Sequence, residues 1–334
     1  MQNLRVLLLC SAFPLALSAC KVEITVPRNG TVETLSGNYS CGAREKCVID
    51  VEDTTFDETF IARPNPGYAF SRWTEKPQAL CGNSNSPCRL LTSPLAGTEN
   101  VSLLESDEAL YLEPVFVEYE NYDFESGKLD LNCSGNCPRI TTRYTRSGRY
   151  AIASTISDSS RNVRRTEAVI PGTAKFMEYE RDYWVGFSIY LPEGWEVPED
   201  MEILAQFHRS KRGGGQPPVA IYSGSGNWKI TSNSPAGRKE WVLHSVLEDV
   251  GRWTDFVIHY KPSHRDSGVL TVWKDGALVA SRDGPNTPRD PEGGPYFKLG
   301  VYKGKYRAPA KTVYHDELRI ASGPDANYDV VVPR

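Results

Sequence analysis

Residues 295–306 read PYFKLGVYKGKY, and their alternation fixes the class of the fold. In an extended strand neighbouring side chains point to opposite faces, so Phe297, Leu299 and Val301 lie on one side and Lys298, Gly300 and Tyr302 on the other. The first face can enter a core. The second, with an ammonium, a gap and a phenol, suits a polar groove. The segment ILAQFHR at 203–209 has the same grammar, with Gln206 and His208 on one face and Ala205 and Phe207 on the other. Two such strands side by side would put a reactive surface on one side of a half-buried sheet.

Outward from these strands the pattern repeats. RYAIAST (149–155), RRTEAVI (164–170), YWVGFSIYL (183–191), PVAIYS (218–223), NWKIT (227–231), DFVIHYK (255–261), VLTVWKDG (269–276) and TVYHDELRIA (312–321) all read as strands separated by Gly, Pro, Asn and Asp. No stretch carries a long helical period. About a dozen strands over residues 119–334 imply a two-sheet sandwich, most economically a β-jelly-roll. Lys274, Asp275 and Gly276 read as a hairpin turn.

The chain has 334 residues, 40% hydrophobic and 24% charged, with a formal net charge of -4. Those values fit a globular chain of two domains and exclude wholesale disorder or a multi-span membrane protein. The negative balance also argues against a nucleic-acid partner.

Residues 1–20 form an expected targeting segment, in which Arg5 precedes the apolar run VLLLCSAFPLAL and then Ser18, Ala19 and Cys20. The run is too short for a comfortable membrane span. LSAC at 17–20 resembles the lipobox of bacterial lipoproteins, which implies lipidation of Cys20, anchoring to a membrane, and an outer-membrane or cell-surface location. An exported chain is free to form disulfides. Six cysteines remain, and their grouping into near neighbours favours Cys41 with Cys47, Cys81 with Cys88 and Cys133 with Cys137. A zinc site competes poorly, because no pair has the two-residue gap of a zinc knuckle and no histidine precedes His208.

Residues 21–118 read as a small all-β module, with VEITV, TVET, CVIDV and LYLEPVFVE as its strands. The series NGTV, two cysteines, ARPNPGYAFSRW, two more cysteines and a closing LEPVFVE resembles the bacterial surface repeat related to the internalin B-repeat. Tyr68 and Trp73 are expected in its core, and the module is read as a spacer or adhesive domain with no catalytic constellation.

In the second domain, RRTEAV, QFH and YFKLGVYKG resemble, in order, the three signature blocks of jelly-roll alginate lyases. DFESG (123–127), WTDFVIHYKPSHRDSGVLTVWKDG (253–276) and VYHDELRIA (313–321) are more similar to the heparin lyase I and glucuronan lyase group. The resemblance covers residues 119–334. Ala168, Val169, Lys303 and Gly304 depart from the alginate lyase pattern at positions that line the groove there. The resemblance implies a polysaccharide lyase that cuts a uronic-acid polymer by β-elimination, whether glucuronan-like, alginate or heparin-like, with glucuronan-like unsulfated polymers first. It also implies a calcium ion tying the first strand to the last, for which Glu125 and Asp316 sit in matching positions. The catalytic chemistry itself calls for no cofactor, and a monomer is expected.

β-Elimination removes the C5 proton beside an ionised carboxylate and expels the C4 oxygen. The carboxylate must be neutralised or hydrogen-bonded, a base supplied, and the leaving oxygen protonated. Gln206 and Arg165 fit the first role as donors to carboxylate oxygens. His208 and Tyr302 fit the others, with His208 and Gln206 on one face roughly 7 Å apart. Lys298 tunes Tyr302 or binds an acidic sugar. Glu167 is expected to orient Arg165, and Arg164 is an alternative to it. The cations Arg209, Lys211, Arg212, Lys303, Lys305 and Arg307 surround the motifs and would attract a polyanion. Gly213, Gly214 and Gly215 suit a mobile loop over the groove. Tyr222, Asn227, Trp228 and Trp241 are candidate sugar-contacting groups. Trp253 and Trp273 are expected in the core, and His259, His264 and His315 are expected to be structural.

Two other functions compete. A retaining glycoside hydrolase needs two carboxylates flanking the bond, and the expected same-face series Glu202, Leu204, Gln206 supplies one. A non-catalytic carbohydrate-binding module gives no reason for the glutamine, histidine and tyrosine to occur together.

Overall fold

A computed structural model describes residues 20–157, 165–170, 177–197, 201–210, 215–303 and 310–334. The expected targeting segment before Cys20 lies outside them, as do Arg164, Lys211, Arg212, Gly213, Gly214, Gly304, Lys305 and Arg307. Two compact units make up the chain, one comprising residues 1–64 with 72–115 and the other 65–71 with 116–334.

The strands of the first part of the chain are β1 (Cys20–Thr25), β2 (Gly30–Thr34), β3 (Ser40–Cys41), β4 (Lys46–Val51), β5 (Asp57–Pro64), β6 (Tyr68–Trp73), β7 (Cys88–Leu91) and β8 (Ala109–Leu112). All but β6 form a three-stranded sheet in the order β4-β1-β8 and a four-stranded sheet in the order β3-β2-β5-β7. Alternation drives both: Val22 and Ile24 of β1, Val32 of β2 and Phe60 of β5 are buried, with their neighbours turned outward. Trp73 is buried as expected and its indole N–H donates to Ser86 O at 2.9 Å. Cys20, the expected lipidation site, is the first residue of β1, and its side chain is buried. Cys41–Cys47, Cys81–Cys88 and Cys133–Cys137 are the three disulfides, the pairing that near-neighbour grouping favours.

The second unit is a two-sheet β-sandwich of jelly-roll type. Its strands continue as β9 (Pro114–Tyr122), β10 (Asn132–Gly135), β11 (Arg139–Thr141), β12 (Ala151–Ile156), β13 (Arg165–Val169), β14 (Tyr183–Tyr190), β15 (Glu202–His208) and β16 (Val219–Gly224). After these come β17 (Asn227–Ser234), β18 (Gly237–Ser245), β19 (Trp253–Lys261), β20 (Val269–Lys274), β21 (Ala277–Asp283), β22 (Tyr296–Lys303) and β23 (Lys311–Ser322). One sheet runs β10-β13-β22-β15-β16-β17-β18 and the other β11-β12-β23-β14-β19-β20-β21, with β9 added beside β23. A short helix, α1 (Tyr328–Val331), closes the chain.

The inward residues of the two sheets share one core. Phe207, Phe297, Leu299, Val301, Trp228 and Ile230 from the first sheet meet Phe187, Ile189, Phe256, Ile258 and Val313 from the second. The ring of Phe297 lies 5.0 Å from that of Phe207 and 5.3 Å from that of Phe187, which joins the sheets through aromatic contacts. Each such fully buried side chain stabilises the sandwich by about 1.5–3 kcal/mol. Asp275 and Gly276 both adopt positive φ, +49° and +80°, as a two-residue turn between β20 and β21 requires.

One irregularity shapes the sheet. The register of β15 against both neighbours shifts between Ile203 and Ala205. Beside the shift Gly300 has φ +143°, and a Cβ there would stand 2.2 Å from Thr166 O, so only glycine lets β13 and β22 approach. The bulge also breaks the expected face Glu202, Leu204, Gln206. Leu204 enters the core, Ile203 turns outward beside Tyr302, and Glu202 is buried with Lys303 and Lys311.

Candidate active site

Three adjacent strands carry the candidate residues. Along β13 and β22, Arg165 stands opposite Tyr302, Glu167 opposite Gly300 and Val169 opposite Lys298. Across β22 and β15, Lys298 stands opposite Gln206, and Tyr296 opposite His208. Because Phe297, Leu299 and Val301 fill the core, the alternate residues Tyr296, Lys298, Gly300 and Tyr302 face away from it. Arg165 and Tyr302 thus stand at one end of a polar row, His208 and Tyr296 at the other, and Glu167, Gln206 and Lys298 between them.

The middle of the row is a buried cluster. Gln206 Nε2 donates to Glu167 Oε1, which fixes the amide, since a carboxylate only accepts. The other Glu167 oxygen lies 3.7 Å from Lys298 Nζ and 3.6 Å from Arg165 Nη1. Lys298 is 2% exposed, and its ammonium donates to Ser134 Oγ of β10 at 3.4 Å. Burial pulls the Lys298 pKa below its usual value, and Glu167 opposes that pull. The Arg165 guanidinium rests over the Tyr302 ring, 4.4 Å from its centre. Two cations against one carboxylate leave one net positive charge.

His208 completes the row. Its Nδ1 is 2.6 Å from Arg209 O, and because a carbonyl oxygen only accepts, Nδ1 carries the proton and Nε2 keeps its lone pair. Burial lowers the His208 pKa, and the positive charge of Lys298 lowers it further. The imidazole is therefore a neutral base at neutral pH. Tyr296 Oη lies 3.5 Å from His208 Nδ1, and burial raises the pKa of this phenol. Tyr296 was absent from the expected site, although its spacing from Lys298 and Tyr302 puts it on their face.

The other expected residues divide. Tyr222 lies on the same face, packed with Ile203, Ala220 and Tyr302, and its hydroxyl donates to Glu240 Oε2 at 2.6 Å. Burial and that bond to an anion raise its pKa. Trp228 is not a sugar contact: it is fully buried in the core and its indole N–H donates to Asp249 Oδ2 at 2.8 Å. Trp241, paired with Ile230, packs partly against the same core. Lys303 falls on the opposite face from Tyr302, 3.5 Å from Glu202. Arg209 donates to Arg289 O at 3.0 Å and stands 3.7 Å from Asp290, so its charge is tied to a neighbouring loop. Lys211 and Lys305 lie outside the described residues.

Glu125 and Asp316, the expected calcium ligands, both bind backbone. Glu125 accepts the N–H groups of Arg149 and Tyr150, while Asp316 accepts those of Arg146, Ser147 and Glu317. These bonds fasten the 146–150 loop, and burial raises the Asp316 pKa to about 7.

The polar row thus gathers a cluster of net positive charge, an imidazole and two phenols on one sheet of the β-sandwich. A family model for polysaccharide lyases matches residues 119–319, and the chain belongs to that family. No curated protein matches it. Among solved structures, the endo-β-1,4-glucuronan lyase from the fungus Trichoderma reesei is similar with a TM-score of 0.48 and 17% identity, over 62% of this chain and 92% of that one. An alginate lyase from Pseudomonas aeruginosa gives a TM-score of 0.38 and 19% identity, over 54% and 86%. The alginate lyase AlyC3 gives 0.39 and 12%, over 52% and 75%.

Proposed function

We propose that this polysaccharide lyase cleaves an unsulfated uronic-acid polymer, glucuronan-like before alginate or heparin-like, by β-elimination. The observation that carries the reading is the cluster of buried Glu167, Gln206 and Lys298 with half-buried Arg165, whose single net positive charge stands beside His208. The cations and the free N–H of Gln206 bind the uronate carboxylate and stabilise charge that develops on it as the C5 proton leaves. The electron pair of the C5–H bond becomes the C4–C5 double bond, the C4–O bond breaks, and the departing oxygen takes a proton.

The division of labour follows the sugar. In a D-glucuronate or mannuronate the proton and leaving oxygen share a side, so Tyr302 acts as base and acid with His208 in support. In an L-guluronate or iduronate they lie opposite, and His208 Nε2 is the base while Tyr302 is the acid. The glycoside hydrolase alternative needs two carboxylates free to flank a bond, whereas Glu167 is engaged by Gln206 and two cations. The same reading places the enzyme outside the cell as a lipid-anchored monomer through Cys20, with residues 21–118 as a spacer or adhesive module.

The test is incubation with glucuronan, alginate, heparin, heparan sulfate and hyaluronan while following the ultraviolet absorbance of the unsaturated uronate. Product from glucuronan ahead of the sulfated polymers supports the reading. Binding without product on all five would instead make the domain a carbohydrate-binding module.

A further inference from the structure

A cavity of about 410 Å³ opens on the other sheet, lined among others by Arg143, Glu193, Trp195, Glu196, Thr312 and Tyr314. Its volume falls in the ~300–1,000 Å³ range of small-molecule sites. Thr312 and Tyr314 belong to β23, and Trp195 follows β14, so none of these residues comes from the strands that carry the active-site row.

Two observations point to a ligand. Trp195 is 6% exposed, yet its indole N–H has no hydrogen-bond partner among the described residues. Buried indole groups normally find an acceptor, and this one lines a cavity. The lining is also held in place. Tyr144, next to it, meets the lining residue Tyr314 edge-on at 5.0 Å and stacks on Tyr190 at 4.4 Å. The guanidinium of Arg143, another lining residue, stands 4.7 Å from the Tyr144 ring centre.

The chemistry of the lining selects the ligand. The indole N–H, the Arg143 guanidinium and the Thr312 and Tyr314 hydroxyls donate, while the Glu193 and Glu196 carboxylates accept. Such a mixture matches sugar hydroxyls, which do both. Lys311 also lines the cavity, 4.0 Å over the Trp195 ring and 2.8 Å from Glu202. The lining thus sets Arg143 and Lys311 against Glu193 and Glu196, a balanced set unlike the net positive cluster of the active site.

We propose that this cavity is a second saccharide site for an uncharged glycosyl unit. Holding a neutral part of a polysaccharide there raises the local concentration of the rest of the chain at the groove.

The test is nuclear magnetic resonance titration of the whole protein with cellotetraose as the probe, reading the indole N–H signal that disappears in Trp195→Phe. Expected is a saturable shift at millimolar probe, about tenfold weaker in Arg143→Ala, with no comparable shift from a glucuronate tetramer. No shift at about 20 mM, or a larger response to the glucuronate tetramer, overturns the proposal. If Trp195→Phe does not fold, cellotetraose affinity of Arg143→Ala decides: unchanged binding overturns it. None of these readings depends on lyase activity.

Discussion

Replacing Glu167 with glutamine tests the central cluster, because it keeps the shape of the side chain and removes only its charge. At 3.7 Å from Lys298 Nζ, and with an effective dielectric of ~20, the attraction is about 4 kcal/mol. Glu167 is 2% exposed, but Arg165 is a third exposed and solvent weakens its share. If about half of the Lys298 term is realised, its loss lowers the Lys298 pKa by about 1.5 units, at 1.36 kcal/mol per unit. The sign follows from the charges: removing an anion disfavours the ammonium, whose pKa burial already depresses. Lys298 then deprotonates at lower pH, and the positive charge that binds the substrate carboxylate is lost there. In a profile of kcat/KM against pH, the alkaline limb should move down by about one to two units, with a smaller loss of rate on its acidic side. Chemical denaturation of the same variant checks that it remains folded. An alkaline limb in the same place as in the parent enzyme would refute the electrostatic role given to Glu167.

Tyr302→Phe should lower kcat by about 10²–10⁴-fold, the range for losing a general acid or base, while Tyr296→Phe should cost less than about tenfold because its hydroxyl reaches His208 only at 3.5 Å; the reverse order in the absorbance assay would transfer the proton-transfer role to Tyr296. The acid limb of kcat/KM should lie below the ordinary histidine value of 6.5, since burial and Lys298 both disfavour imidazolium at His208, and Lys298→Met should move that limb upward; a limb that stays put removes the coupling. Trp228→Phe should destabilise the fold by about 1 kcal/mol or more through the lost indole bond to Asp249, which keeps Lys274 and Arg252 as partners, with KM unchanged in steady-state assays; a raised KM with intact stability would return Trp228 to the groove. Changing both Cys133 and Cys137 to serine opens a short loop whose closure is worth about 2 kcal/mol, and because Ser134 between them accepts from Lys298, KM should rise several-fold; unchanged KM would detach β10 from substrate binding.

Strict alternation made much of this site legible. The spacing of Phe297, Leu299 and Val301 against Lys298 and Tyr302 identifies both faces of β22, and QFH does the same for β15. The same rule, carried one residue further, assigns two residues that were expected in the groove. Lys303 is odd-numbered along β22 and so shares the core side with Val301, where Glu202 receives it. Trp228 alternates with Lys229 and shares a face with Ile230, which sends the indole inward and leaves Lys229 on the outer face. What alternation alone cannot reveal is where it resets. The register shift between Ile203 and Ala205 exists only in the pairing of β15 with β16 and β22, and β22 lies about a hundred residues further along the chain. The surroundings of the two carboxylates expected to hold calcium were hidden for a related reason. The N–H groups that meet Asp316 come from residues 146, 147 and 317, which only the fold brings together. Glu167 combines both lessons. Its place beside Arg165 can be read from one strand, but its contacts with Gln206 and Lys298 exist only because three strands stand in register, and those contacts turn separate motif residues into one carboxylate-binding unit.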